Sequence, residues 1–360
     1  MCGICGYIGE NRISDDTLIG MRDTMVHRGP DDGGIWQSSF SNGAIGLAHR
    51  RLSIFDLSEL GHQPMLTDDG CIAVVYNGEI YNFKELRDEL RGLGYSFKSE
   101  CDTEVILYSY REWREKCFER FNGMFAIAIW DADTEKLVFA RDRMGVKPLH
   151  YYWNPQASEL VFASELKPIM KYPGFPRDID MEMLGQYLCY KYIAAPATIF
   201  KNTYKLQPGT YAVYDSHNHT INVVRYWDIV EKKAQASTEM INGFAQAKSR
   251  INDILTDAVC KRMVADVPVG MFLSSGIDSA LVTAIAQRNT DTPVRTFTIG
   301  FNEPERNEAD KAKKIADYLG TDHTELYIGE KEIFDMIEDL TDYYDEPFSD
   351  SSQLPTMLVS

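Results

Sequence analysis

Apolar positions in the first two hundred residues come in short runs and alternations that Gly, Asp and Asn interrupt. The segments "CGICGYIG", "AIGLAHRRLSIF", "IAVVYNG", "GMFAIAIWD", "KLVFARD" and "ELVFAS" have the length and the flanking turn residues of β-strands. Two stretches switch to a helical period. After Asn82, the residues Phe83, Leu86, Leu90 and Leu93 recur on one face, and Asn82 with Glu85 has the form of a capping box. After Asp102, a second helix is expected with Ile106, Tyr110 and Trp113 on one side. Strands first, with helices laid on them, predict stacked sheets covered by helices.

From Trp227 to about Gly243 the pattern fades into "WDIVEKKAQASTEMING", which has no clear buried face. The connection between two domains is therefore placed at 216–243. Beyond it the order of elements changes. "VPVGMFLS" reads as a strand, "ALVTAIAQRN" as a helix, "VRTFTIGF" as a strand, "EADKAKKIADYLG" as a helix ending at Gly320, and "TELYI" as a strand. Strand alternating with helix predicts parallel βαβ units. The expected division is 2–215, a linker at 216–243, and 244–360, in keeping with a chain of 360 residues.

Composition narrows the class. Apolar residues make up 44% of the chain and are broken by 25 Gly and 14 Pro, as in a globular enzyme. The acidic excess, 54 Asp+Glu against 37 Lys+Arg for a formal charge of -17, disfavours general attraction to nucleic acid or an anionic membrane. Seven cysteines at irregular spacing do not make a disulfide framework. The first ten residues lack the basic region and apolar stretch of a signal peptide, so the cytoplasm is the expected location.

Candidate chemistry begins at the second residue. Removal of the initiator Met would leave Cys2 with a thiol and an α-amino group together, and an amine of pKa about 7.7 to 8.0 is a suitable base for the thiol. Attack on an amide then needs donors for the developing oxyanion, and "YNGEIYN" offers an Asn amide beside a Gly N–H at the end of a strand. Each residue also has a plainer reading. Cys2 and Cys5 fit half of a metal site, "NG" a hairpin turn, Asp102 a helix N-cap and Arg51 a surface ion pair.

The fragments "CGI", "HRGPDD", "RRLSIFD", "YNGEIYN", "SECDTEVIL" and "RDRMGVKPLHYY" follow in order. Together they resemble the glutaminase domain of class II glutamine amidotransferases, which are N-terminal nucleophile hydrolases. The resemblance implies an α+β sandwich of layers αββα. It implies Cys2 as nucleophile, Asn77 and the Gly78 N–H as oxyanion donors, and Arg51 as the group that takes the glutamine carboxylate. Glu79 and Asp102 match the ligands of the α-ammonium group, and Leu52, Ser53, Ile54 and Phe55 match the backbone contacts. A zwitterionic amino acid does need one fixed cation and one or two fixed anions.

In the second half, "SSGIDS" joins a strand to a helix, where outward backbone N–H groups suit an anion. Ser275 with Asp278 also reads as a capping box. The turn is similar to the pyrophosphate loop of ATP pyrophosphatases, with Ser275 where the family has the first Gly of a pair. That likeness implies Ser274, Ser275, Gly276 and Ser279 around pyrophosphate, Asp278 as a ligand of Mg²⁺, and Leu273 and Ile299 beside adenine.

With "TFTIGF", "NEADKAKKIADYLGTDH" and "DEPFSDSSQLPT", the whole chain resembles the glutamine-hydrolysing asparagine synthetases. The implied second domain is a truncated α/β parallel sheet of the adenine nucleotide hydrolase type, because family members continue into a G-x-G-x-D-E motif. The implied reaction makes an aspartyl adenylate from ATP and aspartate and attacks it with ammonia from glutamine. An amidotransferase of the same architecture acting on another carboxylate, such as a sugar acid, is the alternative. Small-molecule partners are expected, with no nucleic acid or membrane, and a homodimer is left open. Asp345 and Glu346 read either as groups near Mg²⁺ or as solvated acids.

Overall fold

The computed structural model describes residues 1–54, 56, 58–236, 241–301, 307–350 and 352–359. The chain divides into two compact units, Met1–Lys233 with Asp345–Phe348, and Ala234–Tyr344 with Ser349–Ser360.

The first unit holds two six-stranded sheets. One runs in the order β10-β8-β9-β1-β3-β2, built from β1 (Gly3–Gly9), β2 (Asp32–Phe40), β3 (Gly43–Arg51), β8 (His150–Asn154), β9 (Glu159–Ala163) and β10 (Thr203–Lys205). The other runs β12-β11-β7-β6-β5-β4, from β4 (Met65–Leu66), β5 (Ile72–Ile80), β6 (Gly123–Asp131), β7 (Lys136–Arg141), β11 (Thr210–Asp215) and β12 (Thr220–Arg225). Neighbouring strands are antiparallel throughout this unit.

Side-chain parity sorts the residues into layers, since successive residues of a strand face opposite ways. Ile4, Ile8, Ile45 and Leu47 meet Ala73, Val75, Ala126, Ala128, Trp130, Leu137 and Phe139 between the sheets. The opposite faces are covered too. Val74, Tyr76, Ile127, Ile129 and Val138 pack under α2 (Phe83–Gly92), α3 (Asp102–Trp113) and the short α4 (Cys117–Arg120). Cys5, Tyr7, Ala48, Val161 and Ala163 pack under α1 (Asp15–Asp23), α5 (Leu166–Lys171) and α6 (Met181–Tyr190). The result is the αββα sandwich. Because both faces of each sheet are buried, the central strands read as continuous apolar runs rather than strict alternations.

Local details depart from the sequence reading in instructive ways. Asn82 does sit at the start of α2, yet its amide is spent elsewhere: Nδ2 donates to the Arg120 carbonyl and Oδ1 accepts from Asn122 N–H. Leu93 lies past the helix end and is exposed, whereas the apolar stem of Arg87 is buried on the inner face. Asp102 is not the N-cap of α3 either; Cys101 holds that position.

The second unit begins within α7 (Ile229–Ala236) and continues with α8 (Phe244–Arg262), β13 (Gly270–Phe272), α9 (Ile277–Arg288), β14 (Arg295–Phe301), α10 (Ala309–Leu319), β15 (Asp322–Ile328), α11 (Glu330–Ile337), α12 (Leu340–Tyr343) and α13 (Gln353–Val359). Its three strands are parallel in the order β13-β14-β15, as the strand–helix alternation predicts. β13 is shorter than "VPVGMFLS", because Pro268 supplies no N–H to a ladder. Gly320 ends α10 in the left-handed conformation at φ 73°. Two small apolar clusters, Val259–Ile285–Ala286–Val294 and Leu273–Ala312–Ala316, form its interior. Among the described residues no helix is long and apolar enough to cross a membrane.

The sandwich depends on its inter-sheet filling. Phe139 stacks on Phe162 across the gap with centroids 6.3 Å apart, both fully buried. Phe139→Ala is expected to destabilise the first unit by about 3–5 kcal/mol, seen as a lowered denaturant midpoint for that unit's transition.

Candidate active site

The inward phase of β1, β3 and β5 carries the apolar core for most of its length and turns polar at one end. The positions that continue it are Cys2 before β1, His49 and Arg51 at the end of β3, and Asn77 and Glu79 in β5. A pocket of about 380 Å³ opens there, lined by Cys2, Arg51, Leu52, Ile54, Gly61, Gln63, Tyr76, Gly78, Glu79, Cys101, Asp102 and Thr103.

Cys2 is half-buried, and its sulfur lies 3.4 Å from Leu52 N, which donates to it, and 3.6 Å from the Leu52 carbonyl. Burial raises the thiol above its ordinary pKa, while the Leu52 N–H pulls the other way. The Arg28 guanidinium fixes the Cys2 carbonyl, with Nε 2.9 Å away, and is itself held by Glu165 at 2.9 Å. Met1 carries the α-amine in this chain, and burial lowers that amine's pKa.

Asn77 and Gly78 are residues of a strand, not of a hairpin turn. Asn77 is buried, and its Nδ2 has no hydrogen-bond partner among the described residues. A Cβ on Gly78 would fall 2.2 Å from the Met124 carbonyl oxygen, so only glycine fits this close crossing. Glu79 likewise has an enclosed Oε2 without a partner among the described residues. Burial and the neighbouring Asp102 push the Glu79 carboxyl up to about 8. Asp102, also raised by burial, accepts from Tyr76 Oη at 2.8 Å and from Ile80 N at 3.0 Å. The pocket thus combines a thiol with an enclosed carboxyl whose Oε2 has no partner among the described residues, and buried Asn77, with its unpartnered Nδ2, stands in β5 between the pocket-lining Tyr76 and Gly78.

Arg51 is buried and reaches the carbonyls of Ser58, at 2.9 Å, and Asp56. Gly61 makes room for it, since a Cβ there would sit 2.0 Å from Nη2. Leu52 and Ile54 line the pocket, Ser53 borders a neighbouring opening where its N–H meets Asp31 at 2.7 Å, and Phe55 lies outside the described residues. The fold also places residues here that motif reading passed over: Arg28, His49, Gln63 and Tyr76. His49 carried a signal, since it occupies an apolar-phase position of β3.

In the second unit, Leu273, Ser274, Ser279 and Ile299 line an opening of about 600 Å³ with Phe272, Phe297 and Thr298. The loop folds on its own serines. Ser274 Oγ lies 2.9 Å from Ser279 Oγ and accepts from Gly276 N at 3.1 Å. Ser275 is not a capping residue, because Gly276 is the N-cap of α9 and Ser275 Oγ donates to Glu308 at 2.7 Å. Nothing but Ser274 Oγ comes near a Cβ built on Gly276, so the turn is open to an approaching group. Asp278 is exposed in the first turn of α9, and no group of three or more metal-binding side chains occurs among the described residues. Asp345 and Glu346 are not solvated acids. They belong to the first unit, where Asp345 accepts from Lys167 N at 3.0 Å and pairs with the Lys167 ammonium, and Glu346 pairs with Lys205.

Comparison with known proteins fits this geometry. Residues 1–227 match the family model described as a glutamine amidotransferase domain, and residues 250–360 match the one for asparagine synthase. A putative glutamine-hydrolysing asparagine synthetase 2 of Methanocaldococcus jannaschii is 38% identical over 100% of this chain and 71% of its own length. The glutamine-hydrolysing asparagine synthetases 3 and 1 of Bacillus subtilis are 33% and 32% identical over 94% and 100% of the chain, which spans only 56% and 55% of their lengths. Matched along its length by these relatives and by both family models, the chain belongs to the family of glutamine-hydrolysing asparagine synthetases.

Proposed function

We propose that the first unit hydrolyses glutamine at Cys2 and that the ammonia serves an ATP-dependent amide synthesis in the second, with aspartate as acceptor. The observation that carries the first half is one pocket lined by Cys2, whose sulfur accepts from the Leu52 N–H, and by Glu79, whose Oε2 has no partner among the described residues, with Asn77 and its unpartnered Nδ2 between the pocket-lining Tyr76 and Gly78. The names of the relatives favour aspartate over a sugar acid.

In this reading Met1 is removed and the α-amine of Cys2 takes the thiol proton. The thiolate attacks the carboxamide carbon, and negative charge moves to its oxygen beside Asn77 Nδ2 and the Gly78 N–H. The C–N bond then breaks, the amine returns its proton to the departing nitrogen, and a γ-glutamyl thioester and ammonia result. Water cleaves the thioester to glutamate and restores the thiol. Glu79 and Asp102 take the α-ammonium group, and Arg51, with the 52–55 backbone, takes the carboxylate.

In the second unit the residues fit a nucleotide in part. Leu273, Phe272, Phe297 and Ile299 offer an apolar wall to a base, and the turn Ser274–Ser279 offers hydroxyls and the N-terminus of α9 to phosphate. Bound ATP would supply a carboxylate activated as its adenylate. Asp278 would be a protein ligand of Mg²⁺, an ion that takes its other oxygens from phosphate and water.

Four measurements test this reading. The mature chain is expected to begin at Cys2 by mass spectrometry, and Cys2→Ala is expected to abolish glutamine hydrolysis while leaving the unfolding midpoint nearly unchanged. Full turnover by that variant refutes the nucleophile. Glu79 predicts a pH dependence of stability. Its native carboxyl keeps the proton up to about 8, against an ordinary value of 4.5, so the folded chain binds more protons in that window and loses stability as pH rises through it. Glu79→Gln should flatten that slope, measured as denaturant midpoints between pH 5 and 8. Pyrophosphate exchange into ATP is expected with aspartate and not with a uronic acid, and the reverse would overturn the acceptor.

A further inference from the structure

Among the described residues, no strand pairs with the outer edge of β5 beyond Val74, where Asn77 and Gly78 lie. β4 pairs only with Ala73 and Val74, through Leu66 and Met65. The register with β6, continued by Tyr81 N to Asn122 O at 2.8 Å, turns the odd residues of β5 toward β6. The even residues Tyr76, Gly78 and Ile80 therefore turn their backbone groups to the open edge. Side chains take the place of a neighbouring strand. Gln63 Oε1 accepts from Tyr76 N at 2.7 Å, Asp102 accepts from Ile80 N at 3.0 Å, and His49 Nε2 lies 3.1 Å from the Tyr76 carbonyl. Gly78 N–H is left between these fixed points.

His49 belongs to the other sheet. It lies in β3, opposite Ile4 of β1, so the strand that follows Cys2 and the ring that holds Tyr76 share one ladder. The side chain is wholly buried, and burial drops its pKa to about 3, which keeps the imidazole neutral. With a carbonyl as acceptor, Nε2 carries the hydrogen and Nδ1 is bare. Nδ1 has no partner among the described residues, so this position leaves a buried ring nitrogen unsatisfied, which an apolar side chain would avoid.

We propose that His49 is a positioning residue for glutamine hydrolysis: it braces the Tyr76 carbonyl across the inter-sheet gap, with Gln63 holding the same peptide edge, and so sets Asn77 and the Gly78 N–H at their working distance from Cys2. This rests on the glutaminase reading. The imidazole takes no proton and touches no substrate; its contribution is the separation of two sheets at the point where each supplies part of the site. Misplacement of a reacting group by one ångström can cost about 10²-fold in rate.

The test uses the full chain with His49→Leu, His49→Gln and Gln63→Met. His49→Leu is expected to lower kcat for glutamine hydrolysis about 100-fold with little change in KM, the mark of an interaction used in the transition state. His49→Gln, which keeps an N–H at similar reach, is expected to recover much of the loss. Glutamate γ-semialdehyde adds to the Cys2 thiol as a tetrahedral analogue, and its inhibition constant should rise by the factor that kcat/KM falls. Hydrogen exchange at Tyr76 and Gly78 should quicken in His49→Leu and in Gln63→Met, whichever of them folds. A His49→Leu enzyme with wild-type kcat, a loss confined to KM, or unchanged exchange at these amides overturns the inference. A wild-type chain that cleaves no glutamine overturns the glutaminase reading instead, and the exchange result alone then decides whether His49 braces the edge.

Discussion

Two sheets packed face to face impose one constraint on everything else in the first unit. Along each strand the inward positions are fixed by parity, so the residues that extend the apolar series must also face the gap. Ile4 and Ile8 lead back to Cys2; Ile45 and Leu47 lead on to His49 and Arg51; Ala73 and Val75 lead on to Asn77 and Glu79. A slip of one residue in any of these strands would send the polar groups into a helical layer and apolar groups into the pocket. The large apolar filling, with Trp130, Phe139 and Phe162 at its centre, is what holds the register against the cost of the polar end.

That cost is electrostatic. Glu79 and Asp102 are close enough for each to matter to the other, and both are raised by burial. Arg51 has its guanidinium on the carbonyls of Ser58 and Asp56. Lys147 is the buried cation that acts on both Glu79 and Cys2, and burial lowers its own pKa. At Glu79, burial and the neighbouring Asp102 outweigh Lys147, so the carboxyl holds its proton until a further cation comes near. Burial first, and Glu79 to a smaller degree, hold the Cys2 thiol protonated, while the Leu52 N–H and Lys147 pull the other way.

Much of this was legible in the sequence, and the remainder was hidden for definable reasons. The six central strands declared themselves because burial on both faces makes their apolar runs continuous. β2 and β8 did not, since "DGGIWQSSF" and "HYYWN" are half-exposed and carry no regular period. Cys2, Asn77, Gly78 and Asp102 stand in the ordered motifs, and the fold brings Cys2, Gly78 and Asp102 to one pocket. Gln63 lies outside every motif, and Arg28 and Tyr76 lie inside "HRGPDD" and "YNGEIYN" without a readable role, because residue type says nothing about the bonds that Gln63 makes to the Tyr76 backbone and Arg28 to the Cys2 backbone. The capping boxes at Asn82 and Ser275 misled for one reason: both side chains found longer-range partners, Arg120 and Glu308, that outcompete a local N–H.

The two halves differ in how far their polar groups are committed before any ligand arrives. In the first unit, Asn77 Nδ2 and Glu79 Oε2 are enclosed and unpaired, so a ligand satisfies groups that already bear the penalty of burial. In the second, Ser274 and Ser279 satisfy one another and Gly276 N–H at an exposed turn. A phosphate there must exchange with existing hydrogen bonds, and the serine hydroxyls can do so by rotating from acceptor to donor. The first arrangement is set by fixed geometry before a ligand arrives. In the second, a Cβ built on Gly276 would meet only Ser274 Oγ, so the backbone of the turn has room to shift.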